Sequence, residues 1–506
     1  MGIKASDDLF QLVRSMTAAE RRAFRLLSER HSRQDGNNYI LLFDALVDQS
    51  HYDENELREK FEGKAFLKNL SEAKSYLYDA ILAGLRFTRG PESAETELRE
   101  MLDHLEILHA KGLPAQAEKL LKTGLSKSRQ LDLHAFTAEF HRWQRRLSKW
   151  RGGKTLLPEL VEIGKEEALA ISRLAQEAHL RDLMGRIQII FSQQVDDRNP
   201  DLQAELEALW ADPALREPPE EVGFHAKVSY YLAHAYYQRS QAKTRLSMEA
   251  WQSLVATYEA YPIQIKRQPD QYINALVSLL DAQLNNNDLE RFLTDLDRLV
   301  SHKAKETSLV ARIFFLKHHL MLRYALITGH LDQAMVNAPE FEAGMTKYGK
   351  YLNASLELTF LYNLCALYFV AERYPEAQRY INLVLNRPHL PLREDILDAL
   401  RLLEMIARYA RGQLDVLTHL HKSQERRLRQ QPNKPLFGQI THRFIGKLLD
   451  AVDAAETRAA ILEIHEQLLA LGPEIKPTGY DELWIWVLSR LENKRMVDVV
   501  RQMGVT

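Results

Sequence analysis

The stretch LYNLCALYFVAERYPEAQRYINLVLNRP, residues 361–388, decides how the chain is read. An apolar run breaks at AERYP and resumes as a second helical pattern, whose small residue Ala377 marks a position that recurs along the chain. Two other turn-plus-helix starts share it, KGLPAQAEKLL (111–121) on Ala117 and TGHLDQAM (328–335) on Ala334. Weaker copies fall on Leu160, Ala204, Ala250, Phe292, Leu417 and Ala459. In chain order the intervals are 43, 44, 46, 42, 42, 43, 40 and 42 residues, which predicts nine helix pairs at a period of about 42.

With those residues in hand, the stretch resembles a tetratricopeptide repeat. Leu361, Leu364, Cys365 and Tyr368 stand where the first helix of that repeat carries large, large, small and aromatic residues. Tyr374, Ala377, Ile381 and Pro388 fall at or beside its second-helix and terminating positions. Small residues at Cys365 and Ala377 let two helices approach closely, while the large ones fill the groove between pairs. YYLAHAYY (230–237) with SMEAWQSLVATYEAYP (247–262) matches through Leu232, Ala233, Tyr236, Ala250 and Pro262, after an insertion of about five residues. The resemblance covers residues 93–471 and implies an all-α fold, an α-solenoid of antiparallel helix pairs. The period departs from the 34 of the family, so these are long-helix variants.

Three regions are expected: an N-terminal helical module at 1–90, repeats at 91–475 and C-terminal capping helices at 476–506. In the first, Thr17 with Glu20 and Asp53 with Glu56 form capping boxes ahead of two helices. A later helix carries Phe66, Leu70, Ala73, Leu77, Ile81 and Leu85 at spacings of three and four, one inward stripe. Gly90 and Pro91 punctuate its end. MTAAERRAFRLL, YILLFDAL, YDENELREKF and AKSYLYDAIL make this module similar to the start of a group of helical-repeat proteins from Bacteroidetes-type bacteria, a resemblance that implies no activity. RIQIIFSQQV (186–195) is β-branched yet is expected to be helical, because LAQEAHLRDLMG before it carries a helical period into it.

Composition agrees with a helical protein. The chain has 506 residues with 21 Gly and 17 Pro, below the usual shares of about 7% and 5%. Its hydrophobic fraction of 45% supports a large core, and a net charge of -2 argues against coating nucleic acid or membrane as a whole. One cysteine, Cys365, excludes an internal disulfide framework and fits a reducing compartment. No window is apolar enough to span a membrane, and MGIKASDDLFQLVRS is no signal peptide, so a soluble cytoplasmic protein is expected. Gly2 and Ser6 satisfy the loose myristoylation pattern, which arises often by chance.

Motifs for catalysis are sought without success. SKWRGGKT (148–155) has Ser148 where a phosphate-binding loop needs its first glycine, and a charged helical stretch precedes it instead of a strand. Gly152 and Gly153 are better read as ending a helix. The closest histidine groups, His318 with His319, His419 with His421 and His104 with His109, have spacings that do not converge on one ion, so no metal or other cofactor is expected. Cys365 reads as a packed small residue. Two basic stretches, HRWQRRLSKWRGGK (141–154) and HKSQERRLRQQPNK (421–434), read as solvated helix faces.

Two functions compete. The leading one is non-enzymatic: a scaffold that binds a protein or peptide on the concave face, lined by the first helix of each pair. The alternative is a transcription regulator whose N-terminal module binds DNA, with Lys68, Lys74, Arg86 and Arg89 near its exposed side. That module has 14 Lys plus Arg against 14 Asp plus Glu, a balance that disfavours DNA. Counting back from the second-helix anchors places the inner face at Lys227, Tyr230, His234 and Tyr237; at Asn274, Asp281 and Asn285; at His319, Arg323 and Leu326; and at Tyr362 and Phe369. Cations and amides among tyrosines suit a peptide groove better than a core stripe.

Overall fold

The computed structural model describes the chain except for residues 1–6, 32–35, 90–92, 153–155, 195–199, 219–222, 305, 352–353, 387–392, 431–435, 472–476 and 504–506. The described residues form twenty-six α-helices and no strand, as an all-α chain requires. They divide into two compact units, Met1–Ala170 and Ile171–Thr506. The myristoylation pattern at Gly2, the punctuation at Gly90 and Pro91, and the break at 475–476 lie outside the described residues.

The first unit holds α1 (Asp8–Ser15), α2 (Ala18–His31), α3 (Gly36–Asp48), α4 (Glu54–Lys60), α5 (Leu70–Arg89), α6 (Ala94–Ala110), α7 (Pro114–Gln130), α8 (His134–Arg151) and the start of α9 (Leu156–Gln194). Before α2 the Thr17 amide donates to the Glu20 carboxylate at 2.7 Å and the Glu20 amide donates to the Thr17 hydroxyl at 3.2 Å, a reciprocal cap. At α4 only half of the expected box forms. Asp53 accepts from the amides of Asn55 and Glu56, but the Glu56 carboxylate is taken by the Gln49 side chain at 2.8 Å. In α5, Leu70, Ala73, Leu77 and Ile81 turn inward with Leu42, Phe43 and Leu46, as the spacing predicts. A separate core joins α6, α7 and α8 around Leu98, Ala117 and Phe140.

The second unit continues α9 and adds α10 (Pro200–Trp210), α11 (Phe224–Ser240), α12 (Thr244–Ala260), α13 (Pro262–Arg267), α14 (Pro269–Asn285), α15 (Leu289–Val300), α16 (Thr307–Thr328), α17 (Leu331–Val336), α18 (Ala338–Tyr348), α19 (Ala354–Val370), α20 (Tyr374–Leu385), α21 (Glu394–Ala410), α22 (Leu414–Gln430), α23 (Leu436–Asp450), α24 (Ala454–Ala470), α25 (Tyr480–Leu491) and α26 (Met496–Met503). RIQIIFSQQV is helical as far as Gln194, with Ile187 and Ile190 buried; Val195 is outside the described residues.

One turn recurs in this unit. It joins α11 to α12, α14 to α15, α19 to α20 and α21 to α22, with Ala242, Asn287, Glu372 and Gly412 each in the left-handed region. In each case the next amide reaches back across the turn: Lys243 to Gln238, Asp288 to Gln283, Arg373 to Tyr368 and Gln413 to Arg408. That bond satisfies a carbonyl the helix end would otherwise leave without a partner. Asparagine and glycine tolerate such a backbone, whereas alanine and glutamate adopt it at a cost of about 1 kcal/mol.

The repeat anchors behave unequally. Ala117, Phe292, Ala377 and Leu417 are fully buried, and Ala250 nearly so. Ala204 and Ala459 instead face outward, because α10 buries Leu206 and Leu209 and α24 buries Ala460 and Ile461. At those two weaker copies the inward register differs from the one read in the sequence.

The last two helices do more than cap the final pair. α25 packs on α24 but also on α21 and α19, and α26 packs on α16. Trp486 of α25 is 1% exposed, between Tyr409 of α21 and Phe444 of α23.

Candidate functional site

Five of the residues that sequence spacing places on the inner face come together on α14 and α16. The Arg323 guanidinium pairs with Asp281 and donates to the Asn285 side-chain oxygen at 2.8 Å. Three helical turns earlier the arrangement repeats: Arg312 pairs with Asp270 at 2.7 Å and donates to the Asn274 oxygen. Each arginine is therefore clasped by an aspartate and an asparagine one turn apart on the neighbouring helix. Both carboxylates lie in reach of solvent, so these pairs orient the helices more than they stabilise them, at about 0 to 1 kcal/mol each. With its oxygen engaged, each asparagine keeps an NH2 group for another acceptor.

His319 extends the network to α19. Its Nδ1 lies 2.7 Å from the Asn363 amide nitrogen, which can only donate, so the ring accepts there. Burial holds the His319 imidazole down to about 4, with Asp281 opposing the shift. The ring is therefore neutral near pH 7. Asp270, Arg312 and Asn363 were missed by reading the sequence. Arg312 had a signal, since it lies 42 positions after Asp270 just as Arg323 lies 42 after Asp281.

The α11 residues do not extend this row as an open groove. Tyr230 is 4% exposed and Tyr237 5%, because α10 and the short turn at Pro213–Leu215 cover them. Tyr237 stacks on Trp210 at 3.8 Å and donates to Glu207 at 3.0 Å. His234 bonds the Leu215 carbonyl at 2.9 Å and lies against both Trp210 and Tyr230. These side chains are core, a correction to their expected role; Lys227 is half-buried on the same helix. Leu326 is half-buried and packs against the core.

Tyr362 and Phe369 on α19 are buried too, and for a different reason. Here α25 packs on α19 and meets Tyr362, while Phe369 lies edge-on to Tyr374 of α20. The Tyr362 hydroxyl bonds the Glu482 carboxyl, and burial pushes Tyr362 well above its ordinary value. Burial likewise raises Glu482, to about 7, with Asp481 adding to the rise. Cys365 beside them is buried and its thiol is raised by burial and by Glu482 and Glu404, which fits a packed residue.

The cations invoked for DNA are largely engaged. Lys74 is buried, not exposed: it pairs with Glu54 at 2.6 Å and lies over the Tyr52 ring at 5.1 Å. It follows inward-facing Ala73 and lies one turn past Leu70, so its stem runs along the core and its ammonium reaches Glu54. Hydrogen bonds from Lys74 and Arg58 lower Glu54 to about 2. Arg86 pairs with Asp103 at 3.1 Å, Lys68 is exposed, and the Arg89 side chain lies outside the described set. In the basic stretch of α8, Arg145 pairs with Glu167 and Arg151 with Glu159, each at 2.6 Å. In that of α22, Arg427 pairs with Glu394 and Asp398. The segment before Gly152 is helix, and Gly153, Lys154 and Thr155 lie outside the described residues. A cleft of about 490 Å³ between α12 and α15 is lined by Glu259, Asp295 and Arg298, which pair with one another. Among the described residues no three His, Cys, Asp or Glu side chains are grouped to hold a metal ion, and no helix is long and apolar enough to cross a membrane.

Comparison with protein-family models, with curated proteins and with solved structures gives no match.

Proposed function

We propose that this chain is a non-enzymatic, cytoplasmic binding protein: a tetratricopeptide-like α-solenoid that holds a segment of a protein partner against first helices α14 and α16. The repeat reading is supported by how neighbours pack. Helices α14, α16, α19 and α21 each touch the first helix of the next pair, and α12, α15, α20 and α22 each touch the first helix that follows them. The left-handed turn residues at 242, 287, 329, 372 and 412 recur at separations of 45, 42, 43 and 40. A chain of stacked pairs with one shared turn geometry produces both patterns.

One observation carries the binding reading: the paired clasps of Arg312 and Arg323, which leave Asn274 and Asn285 exposed with amide donors free of the arginines. Donors fixed in a row three helical turns apart suit the carbonyls of an extended segment, and their own oxygens are held by the arginines so that the NH2 groups stay aimed outward. The aspartates keep the arginines neutralised, so recognition through this row is by hydrogen bonding more than by charge.

The test is a capture experiment with full-length chain and an extract of its source cells. Asn274→Ala with Asn285→Ala is expected to weaken the captured partner about thirtyfold, as loss of two fixed donors at about 1 kcal/mol each implies, with an unchanged urea midpoint. Unaltered affinity in a folded double variant would refute the assignment of the asparagine row.

A further inference from the structure

Where the inner face passes from α16 to α19 and α21 it is covered by this chain's own C-terminus. α26 lies on α16, and α25 lies on α19 and α21, so one short segment spans the first helices of three successive pairs. A helix that merely closes a stack touches the last pair and needs a polar outer side. α25 is instead buried around most of its circumference, at Tyr480, Glu482, Leu483, Ile485, Trp486 and Val487, with Asp481 and Arg490 exposed. Resting on the binding reading above, we propose that residues 477–503 are a displaceable internal occupant of the inner face, and that the partner, beyond the extended stretch on the asparagine row, continues in their place as an amphipathic helix with a carboxyl group one turn ahead of a tryptophan or similar aromatic.

The chemistry of the contact separates it from permanent core. Its centre is a carboxyl group, Glu482, bonded to the Tyr362 hydroxyl. The groups facing it are Tyr362 and Cys365 on α19 and its own neighbour Asp481, with Glu404 of α21 acting on the same Cys365. Glu404 has its own cation, Arg408 at 3.5 Å, whereas no cation is among the groups that shift Glu482. A buried carboxyl without a cation of its own is an unfavourable choice for a fixed core, where leucine would serve better. The rim of the contact is polar and reachable by water. Arg490 pairs with Glu372 at 3.0 Å, touches the Tyr374 hydroxyl at 3.3 Å and lies over Trp486. Thr478 donates to Asp395 at 2.9 Å. The occupant thus combines a buried aromatic anchor, one buried acid and an exposed charged latch, the makeup of a binding interface with a central hot spot and a wet rim.

The acid gives the contact a direction with pH. Glu482 stands at about 7 when covered, against the ordinary 4.5. The docked state therefore holds a proton that the released state loses. Its contribution to docking is complete below about pH 4.5 and is lost as pH rises through about 7, leaving docking about tenfold weaker at pH 8 than at pH 6. Release is favoured on the alkaline side.

The experiment is hydrogen exchange of the full chain, read as protection factors for amides 480–503 and, as controls, for α19 and for α11 with α12. Protection at 480–503 is expected to lie below that of α19 and to fall about tenfold from pH 6 to pH 8. Glu482→Gln keeps the shape and the Tyr362 bond, so it should remove that pH dependence. Arg490→Glu, facing Glu372, should lower protection about threefold or more at 480–503 alone, and Glu372→Arg added to it should restore protection. A labelled peptide of residues 477–503 should bind the Arg490→Glu chain about threefold more tightly than wild type, because the competing occupant is loosened by that factor. The proposal is overturned if amides 480–503 match α19 at both pH values and in every variant, since the segment then opens only by global unfolding. It is also overturned if the peptide fails to bind the loosened chain. Neither result depends on the asparagine row, so loss of partner capture there and loss of this opening are separate failures.

Discussion

Replacing Tyr230 by alanine separates core from groove. The ring is 4% exposed, lies 4.1 Å from the His234 ring and shares a core with Leu180, Leu183 and Leu215. Truncating a buried aromatic to alanine removes its transfer energy and leaves a cavity, a loss of about 3 to 4 kcal/mol. With a urea slope of about 3 kcal/mol/M for a unit of this size, the midpoint should fall by about 1 M. Tyr230→Phe keeps the ring and deletes a hydroxyl that burial raises to about 12 and that has no hydrogen-bond partner among the described residues. Its midpoint should stay within about 0.2 M of wild type, because deleting a hydroxyl without a protein partner leaves no group unsatisfied. Urea titration followed by tryptophan fluorescence is suitable, since Trp210 lies 4.6 Å from His234 in the same cluster. An alanine variant with an unshifted midpoint and weakened partner binding would refute the burial argument and return Tyr230 to an open surface.

Three further outcomes follow from local geometry. Ala242 has φ +56, so Ala242→Gly should raise the urea midpoint, gaining about 0.5 kcal/mol once glycine's greater unfolded freedom is deducted from the relieved strain. A Cβ at Gly124 would come 2.4 Å from Phe140, so Gly124→Ala should cost about 1 to 3 kcal/mol by overpacking, read as lower thermal stability of the first unit. His319 is held down to about 4; because the unfolded ring gains its proton first, its contribution is complete above about pH 6.5 and is lost as pH falls towards 4. The corresponding NMR observation is a His319 ring still neutral at pH 5.5, and a ring that titrates near 6.5 would contradict its burial.

Helical periodicity made one side of α14 and α16 legible. Counting from Phe292 and Ala334 brought Asn274, Asp281, Asn285, His319 and Arg323 onto one surface, where they do meet. Periodicity says which residues share a helix face and nothing about what lies over that face. Tyr230 and Tyr237 were covered by α10, and Tyr362 by a helix more than a hundred residues later in the chain. Lys74 likewise reads as exposed until Glu54, twenty positions earlier, meets its ammonium. A signal for the C-terminal cover was present in YDELWIWVLSRL, whose apolar residues do not keep to one side. A helix whose apolar residues spread over most of its circumference must be buried by something beyond its immediate neighbour.

The most direct measurement of the binding account is photo-crosslinking from the full chain in an extract of its source cells. A benzophenone amino acid at Ser278, between the two arginine clasps on α14, is compared with one at exposed Leu293 on α15. The account predicts a discrete crosslinked species from position 278, lost in the Asn274→Ala, Asn285→Ala chain, and none from position 293. Equal crosslinking from both positions, or a product at 278 that survives the loss of both asparagines, would contradict it.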